Sequence, residues 1–74
     1  MRPEIKETAV NNPSCEIRLG LSSWDLNSKS VKYTWFDANG KAMRGGEFPV
    51  EALPQMMRMA LENKYLDSSD VFKN

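Results

Sequence analysis

The sequence predicts an α+β fold, a curved four-stranded antiparallel sheet followed by one C-terminal helix in the order ββββα. Three observations predict it. Residues 16–24 and 31–36 each alternate apolar and polar side chains, as strands with one buried face do. Residues 37–40, Asp-Ala-Asn-Gly, are a strong hairpin-turn signal because Asn and Gly tolerate positive φ. Apolar residues spaced by three and four between Leu53 and Leu61 indicate an amphipathic helix.

The first and last strands follow from weaker signals. A first strand is predicted at residues 4–10, and the Asn-Asn-Pro-Ser run at 11–14 predicts the turn that follows it. A fourth strand is predicted at 41–48. Gly45 and Gly46 interrupt it and predict a bulge or a bend.

The helix is expected to begin at Glu51 or Pro54 and to end near Asn63. Prolines are tolerated in the first turn of a helix because the N–H that they lack has no partner there. The helix stripe and the apolar strand positions are expected to form one core. Its predicted members are Leu19, Leu21, Tyr33, Trp35, Leu53, Met57 and Leu61.

The length predicts one domain over residues 1–74, with 1–3 and 67–74 expected to be flexible. A chain this short buries only about 60% of its unfolded surface. Small domains without a disulfide or a metal often gain stability by oligomerising. The wide Met-rich helix stripe therefore predicts a homodimer through the helix. The predicted interface residues are Met56, Met59 and Leu66.

The composition argues against an enzyme. The chain has one cysteine and no histidine, so it can form no Ser-His or Cys-His pair and no Cys/His zinc site. We expect no catalytic residues, no metal, no cofactor and no small-molecule substrate. The lone Cys15 favours a reducing, cytoplasmic location. No apolar run reaches the roughly 18 residues of a membrane span, so no membrane partner is expected.

The polar sides of the two central strands carry the only functional signal. Cationic and aromatic side chains are mixed there, which is typical of surfaces that bind single-stranded nucleic acid. Small residues among them, Gly20, Ser22 and Thr34, are expected to leave room for flat bases. The strand residues predicted to be neighbours are Arg18 and Trp24 on one strand and Lys32 and Phe36 on the next, with Arg44 extending the row.

Three segments together resemble a known family. EIRLGLSSW, VKYTWFDANGKAMRGG and FPVEALPQM are similar in order and residue class to the transcriptional coactivator (positive cofactor four) family of single-stranded-DNA-binding proteins, especially its short bacterial relatives. The resemblance covers about residues 4–62. It implies a homodimer joined through the helices, and DNA contacts from the strands. Carried over by position, the contacts are Arg18, Trp24, Lys32, Lys41 and Arg44, with Phe36 standing where relatives tend to have Arg.

The leading hypothesis is a non-enzymatic domain that binds single-stranded DNA or RNA as a homodimer and acts in transcription, replication or repair. The alternative is a small protein-interaction module, a regulator or inhibitor, that uses the same sheet face. Ten basic and ten acidic residues give a formal net charge of zero. This balance argues against a strongly basic protein that coats nucleic acid without sequence specificity. A local basic face remains compatible with that balance.

Overall fold

The computed structural model describes residues 1–43 and 45–71 and contains a four-stranded antiparallel sheet followed by a helix. The strands lie in the sheet in the order in which they occur in the chain. The predicted ββββα fold class is therefore confirmed. The strands are β1 (Arg2–Thr8), β2 (Cys15–Leu21), β3 (Lys29–Trp35) and β4 (Gly46–Pro49).

The first strand begins earlier than predicted. Arg2 and Pro3 both pair with the end of β2, so β1 includes part of the segment 1–3 that was expected to be flexible. The register shifts just after Pro3, which marks a bulge. β1 ends at Thr8, and the turn predicted at 11–14 follows it closely.

The predicted hairpin turn after β3 is confirmed. The Asp37 carboxylate accepts hydrogen bonds from the backbone N–H groups of Asn39 and Lys41, each at 2.9 Å. Gly40 has φ of 76°, the left-handed conformation that glycine adopts at little cost. Local side-chain chemistry therefore fixes the turn.

The fourth strand is shorter than the predicted span of 41–48. Before β4, the only pairing among the described residues of that span is an isolated bridge between Phe36 and Ala42. At Gly45 the chain lies against β3, so a Cβ atom there would collide with the backbone carbonyl of Tyr33. This close approach explains why glycine interrupts the strand.

A 3-10 helix (Val50–Ala52) leads from β4 directly into helix α1 (Leu53–Glu62). The helix thus begins between the two predicted starts, with Pro54 in its first turn. Asn63 ends it as predicted, and its side-chain amide donates a 2.8 Å hydrogen bond to the Met59 carbonyl. A short helix α2 (Ser68–Val71) lies within the tail that was expected to be flexible.

The sheet has two chemically different faces because residues directly opposite each other on paired strands point the same way. We call one the apolar face. It carries Ile5, Ile17, Leu19, Val31, Tyr33, Trp35 and Phe48. We call the other the polar face. It carries Lys6, Glu16, Arg18, Ser30, Lys32, Thr34 and Glu47.

The predicted shared core of sheet and helix does not form in the single chain. Leu19, Trp35 and Met57 are 37%, 48% and 37% exposed. The reason is geometric: α1 packs on the 3-10 helix and makes at most marginal contact with the strands, within the part of the chain that is described. No residue of α1 is buried. Within residues 1–43 and 45–71, the buried apolar side chains are Ala9, Cys15 and Val31.

The isolated chain exposes more surface than a folded monomer of its mass normally does. Its accessible surface is 5993 Å², whereas the usual scaling gives about 4,600 Å² at 8.4 kDa. The excess is larger than the roughly 800 Å² that each partner buries in a standard protein interface. Much of it is apolar, since Ile5, Trp35 and Met56 are all about half exposed.

Glycine 20 provides a test of the β1–β2 packing. A Cβ atom at Gly20 would collide with the Arg2 carbonyl and the Pro3 backbone, whereas a Cβ atom at Gly46 would meet nothing within 4 Å. We predict that Gly20→Ala lowers the free energy of unfolding by about 1–3 kcal/mol, because the backbone of β1 must move. Gly46→Ala should change it by less than about 0.5 kcal/mol. Urea unfolding of both variants measures this, and equal effects would contradict the described strand contact.

Candidate nucleic-acid interface

Three cations form a row across three neighbouring strands of the polar face. Lys6 on β1 is directly opposite Arg18 on β2, and Arg18 is directly opposite Lys32 on β3. Adjacent strands lie about 4.8 Å apart, so the row spans roughly 10 Å. Like charges placed directly opposite destabilise a sheet unless something compensates them. The row is therefore a local concentration of positive charge in a chain with zero net charge.

The sequence predicted Arg18 and Lys32 as members of this surface but missed Lys6. Lys6 lies in the first strand, whose weak alternation gave no information about which side chains share a face. Only the register, which sets Lys6 opposite Arg18, reveals its position.

Arg18 is held by two neighbours on the polar face. Its Nε donates a 2.7 Å hydrogen bond to Glu16 Oε1, an ion pair in which the two side chains are 19% and 23% exposed. Its guanidinium carbon lies 5.7 Å from the centre of the Phe36 ring, within cation–π range. The predicted grouping of Arg18, Lys32 and Phe36 is therefore present.

The small residues of the polar face do not leave the open space that was expected. Ser22 and Thr34 are buried at 1% and 0% exposure. The backbone of β1 closes over Gly20, which is why a Cβ atom there would collide with Arg2. Thr34 Oγ1 has no hydrogen-bond partner among the described residues. A base would therefore have to lie on the outer side chains rather than on the strand backbone.

Trp24 is not where the sequence placed it. β2 ends at Leu21, because the Ser22 side chain and backbone form hydrogen bonds with Asp25 and Ser28 that turn the chain. Trp24 is half exposed in this turn, beyond the Leu21–Lys29 end of the β2–β3 pair.

Phe36 lies beyond the other end of the same strand pair. A seven-residue strand, about 20 Å long, separates it from the turn that carries Trp24. The two aromatic residues are therefore not neighbours, so the prediction that Trp24 lies beside Phe36 is wrong. Lys41 is exposed in the turn at the Phe36 end. Arg44 lies outside the described residues.

A carboxylate fixes the turn that carries Trp24 to the edge strand. Glu47 Oε2 on β4 accepts hydrogen bonds from Ser30 Oγ at 2.8 Å and from the Ser23 N–H at 3.0 Å. Its other oxygen accepts one from Ser23 Oγ at 3.1 Å. Burial alone raises the pKa of the Glu47 carboxyl, but the hydrogen bonds from Ser30 and Ser23 outweigh it and hold that pKa below its usual value. The anion is thus the form that stabilises this corner.

Comparisons with protein-family models, with curated proteins and with solved structures found no match to this chain. Among the described residues, no helix has the length and apolar character needed to cross a membrane.

The Glu47 network generates a pH prediction. Because its folded pKa is below the ordinary value of 4.5, Glu47 stabilises the fold above that pH and loses this contribution as pH falls through the folded pKa. Glu47→Gln should lower the free energy of unfolding at pH 7 by about 1–2 kcal/mol, since neutral acceptors bind hydroxyl and amide donors less strongly. The deficit should shrink below pH 4.

The matched control is Glu51→Gln. It makes the same chemical change at an exposed carboxylate with no hydrogen bond to the described part of the chain. Urea unfolding at pH 7 and at pH 3 compares the two. If Glu51→Gln and Glu47→Gln have the same effect at both pH values, the network does not stabilise the fold.

Proposed function

We propose that this chain is a non-enzymatic domain that binds single-stranded nucleic acid through the polar face and acts as a homodimer. The observation that carries the proposal is the row formed by Lys6, Arg18 and Lys32, with the Phe36 ring beside Arg18. Proteins bind single strands by tracking phosphates with cations and stacking bases on aromatic rings or guanidinium planes. An open sheet face presents both kinds of group to a flexible strand.

The charge balance sets the expected strength. Three cations in the row face two carboxylates, Glu16 and Glu47, on the same side of the sheet. Few counterions are therefore released on binding, so affinity should be micromolar and should fade with salt. A role at exposed single strands in transcription, replication or repair, in the cytoplasm, agrees with the resemblance to the positive cofactor four family.

The proposed dimer rests on the uncovered apolar surfaces. The apolar face is bare on one side of the sheet, and α1 presents a groove lined by Leu53, Met57 and Leu61. The accessible surface of the single chain exceeds that of a typical monomer of its mass. The excess is larger than the area that each partner buries in a standard protein interface. Association of two copies through α1, with Met56, Met59 and Leu66 in the contact, covers exposed apolar surface of the helix. The polar face then remains free for ligand.

A protein-interaction module is the second candidate, and the apolar face is the observation that favours it. Ile5, Ile17 and Trp35 are 58%, 40% and 48% exposed, and Tyr33 packs edge-on against Trp35 with ring centres 5.8 Å apart. Aromatic residues are enriched in protein interfaces. In this alternative a different protein, rather than a second copy, covers the face.

The first functional prediction compares two lysines of one strand. Lys32 lies in the cation row, whereas Lys29, opposite Leu21, lies on the apolar face. Lys32→Ala should weaken binding of a fluorescent single-stranded oligonucleotide. It should also lower the slope of log affinity against log salt by roughly 0.7, the value for one phosphate contact. Lys29→Ala should leave both quantities unchanged.

Fluorescence anisotropy at salt concentrations from about 50 to 200 mM measures both variants, with a duplex of the same sequence as reference. Equal losses for Lys29→Ala and Lys32→Ala would show that the polar face is not the site. Absence of binding at about 50 mM salt, where phosphate contacts are strongest, would contradict the proposed function.

The second prediction concerns association. Met56→Glu places a charge in the proposed helix interface and should convert the dimer to a monomer at micromolar concentration, because burying an unpaired charge is costly. The control is Val10→Glu, since Val10 is a fully exposed apolar residue in the turn after β1. Sedimentation equilibrium measures mass, and circular dichroism verifies folding. A folded wild-type monomer would contradict the dimer.

A further inference from the structure

The geometry around Arg18 leaves one edge of its guanidinium group unused. Glu16 accepts a hydrogen bond from Nε only, and the N–H groups of Nη1 and Nη2 make no hydrogen bond to any residue in the described ranges. The Phe36 ring lies on one side at 5.7 Å. The side chain is only 19% exposed, so its position is restricted. Arg18 therefore presents the N–H groups of Nη1 and Nη2 as two donors, and Glu16 and Phe36 restrict their position.

The ion pair changes what Arg18 can attract. Its charge is compensated by Glu16 at 2.7 Å, so the pair offers little net attraction to a phosphate, and the carboxylate repels one. Lys6 and Lys32 on either side of Arg18 have no ion-pair partner among the described residues. Phosphates are thus best bound by the flanking lysines. What Arg18 adds is two parallel donors beside an aromatic ring.

Two parallel donors match two adjacent acceptors on one base. Guanine presents N7 and O6 side by side, and a bidentate arginine contact to them is the most frequent specific contact in protein–DNA complexes. On the same edge adenine replaces one acceptor with an amino donor, thymine offers one carbonyl beside a methyl group, and cytosine offers only a donor. Unpaired cytosine has one other adjacent acceptor pair, N3 and O2 on its Watson–Crick edge, so dC is the competing base that the test must include. The Phe36 ring beside the guanidinium can support an unpaired base by stacking.

We propose that Arg18, held by Glu16 beside Phe36, selects guanine in the bound single strand. This inference rests on the proposed function and deepens it, because it turns a site that tracks backbone into one with a base preference. Its contact is to the N7/O6 edge, which is free in any single strand.

The test uses the full chain and short labelled oligothymidylates that carry one central dG, dA, dC or 7-deaza-dG. Wild-type protein should bind the dG oligonucleotide roughly 5- to 150-fold more tightly than the dA oligonucleotide, the usual range for one bidentate contact. The 7-deaza-dG oligonucleotide lacks the N7 acceptor and should lose most of this preference. Anisotropy titrations at one fixed salt concentration give the ratios.

Two variants separate the effect of the paired guanidinium donors from the effect of positive charge. Arg18→Lys keeps the charge but not the planar donor pair, so it should abolish the dG preference, measured as the ratio of dG to dA binding by the same variant. Lys32→Ala should weaken binding to all the oligonucleotides alike and preserve the preference. If Arg18→Lys does not fold by circular dichroism, the comparison of dG with 7-deaza-dG on wild-type protein decides.

Each other outcome is equally informative. Equal binding of all four oligonucleotides, or a preference for dA or dC, overturns guanine selection and leaves the proposed function standing. A dG preference that survives 7-deaza substitution or Arg18→Lys also overturns the role of Arg18. Absence of binding to every oligonucleotide overturns the proposed function and this inference together.

Discussion

The register between β2 and β3 is the constraint on which the rest of this structure depends. Seven consecutive residues of each strand pair without interruption, from Cys15 opposite Trp35 to Leu21 opposite Lys29. A slip of one residue would exchange the two faces of a strand. It would move Arg18 to the apolar side and separate it from Lys32. The division into an apolar face and a polar face, and with it the cation row, follows from this one alignment.

Sequence patterns predicted the elements better than their assembly. Alternation identified β2 and β3, and residue chemistry identified the turn at Asp37 and the helix end at Asn63, because these signals are local. The prediction of a core shared by sheet and helix was wrong, because Met57 lies on a helix that makes at most marginal contact with the described strands. The spacing of apolar residues predicts which face of a helix is apolar but not where the helix packs. The position of Lys6 could not be predicted either, since it depends on pairing between strands.

The two faces of the sheet differ in which of their side chains are buried within the single chain. On the polar face Ser30 and Thr34 are buried, and the Ser30 hydroxyl donates a hydrogen bond to Glu47. The ten-residue helix α1 makes at most marginal contact with the described strands, so it does not cover the apolar face. A partner on the apolar face and a ligand on the polar face are therefore compatible with each other.

The cation row also has a thermodynamic consequence for the free protein. Lys6, Arg18 and Lys32 repel one another across the strands, while Glu16 pairs with Arg18 and Glu47 lies directly opposite Lys32 on β4. The repulsion that these two carboxylates do not offset opposes folding, and a polyanion lying across the strands relieves it. The affinity of the row for such an anion and the melting temperature of the sheet are thus linked quantities, and both depend on ionic strength.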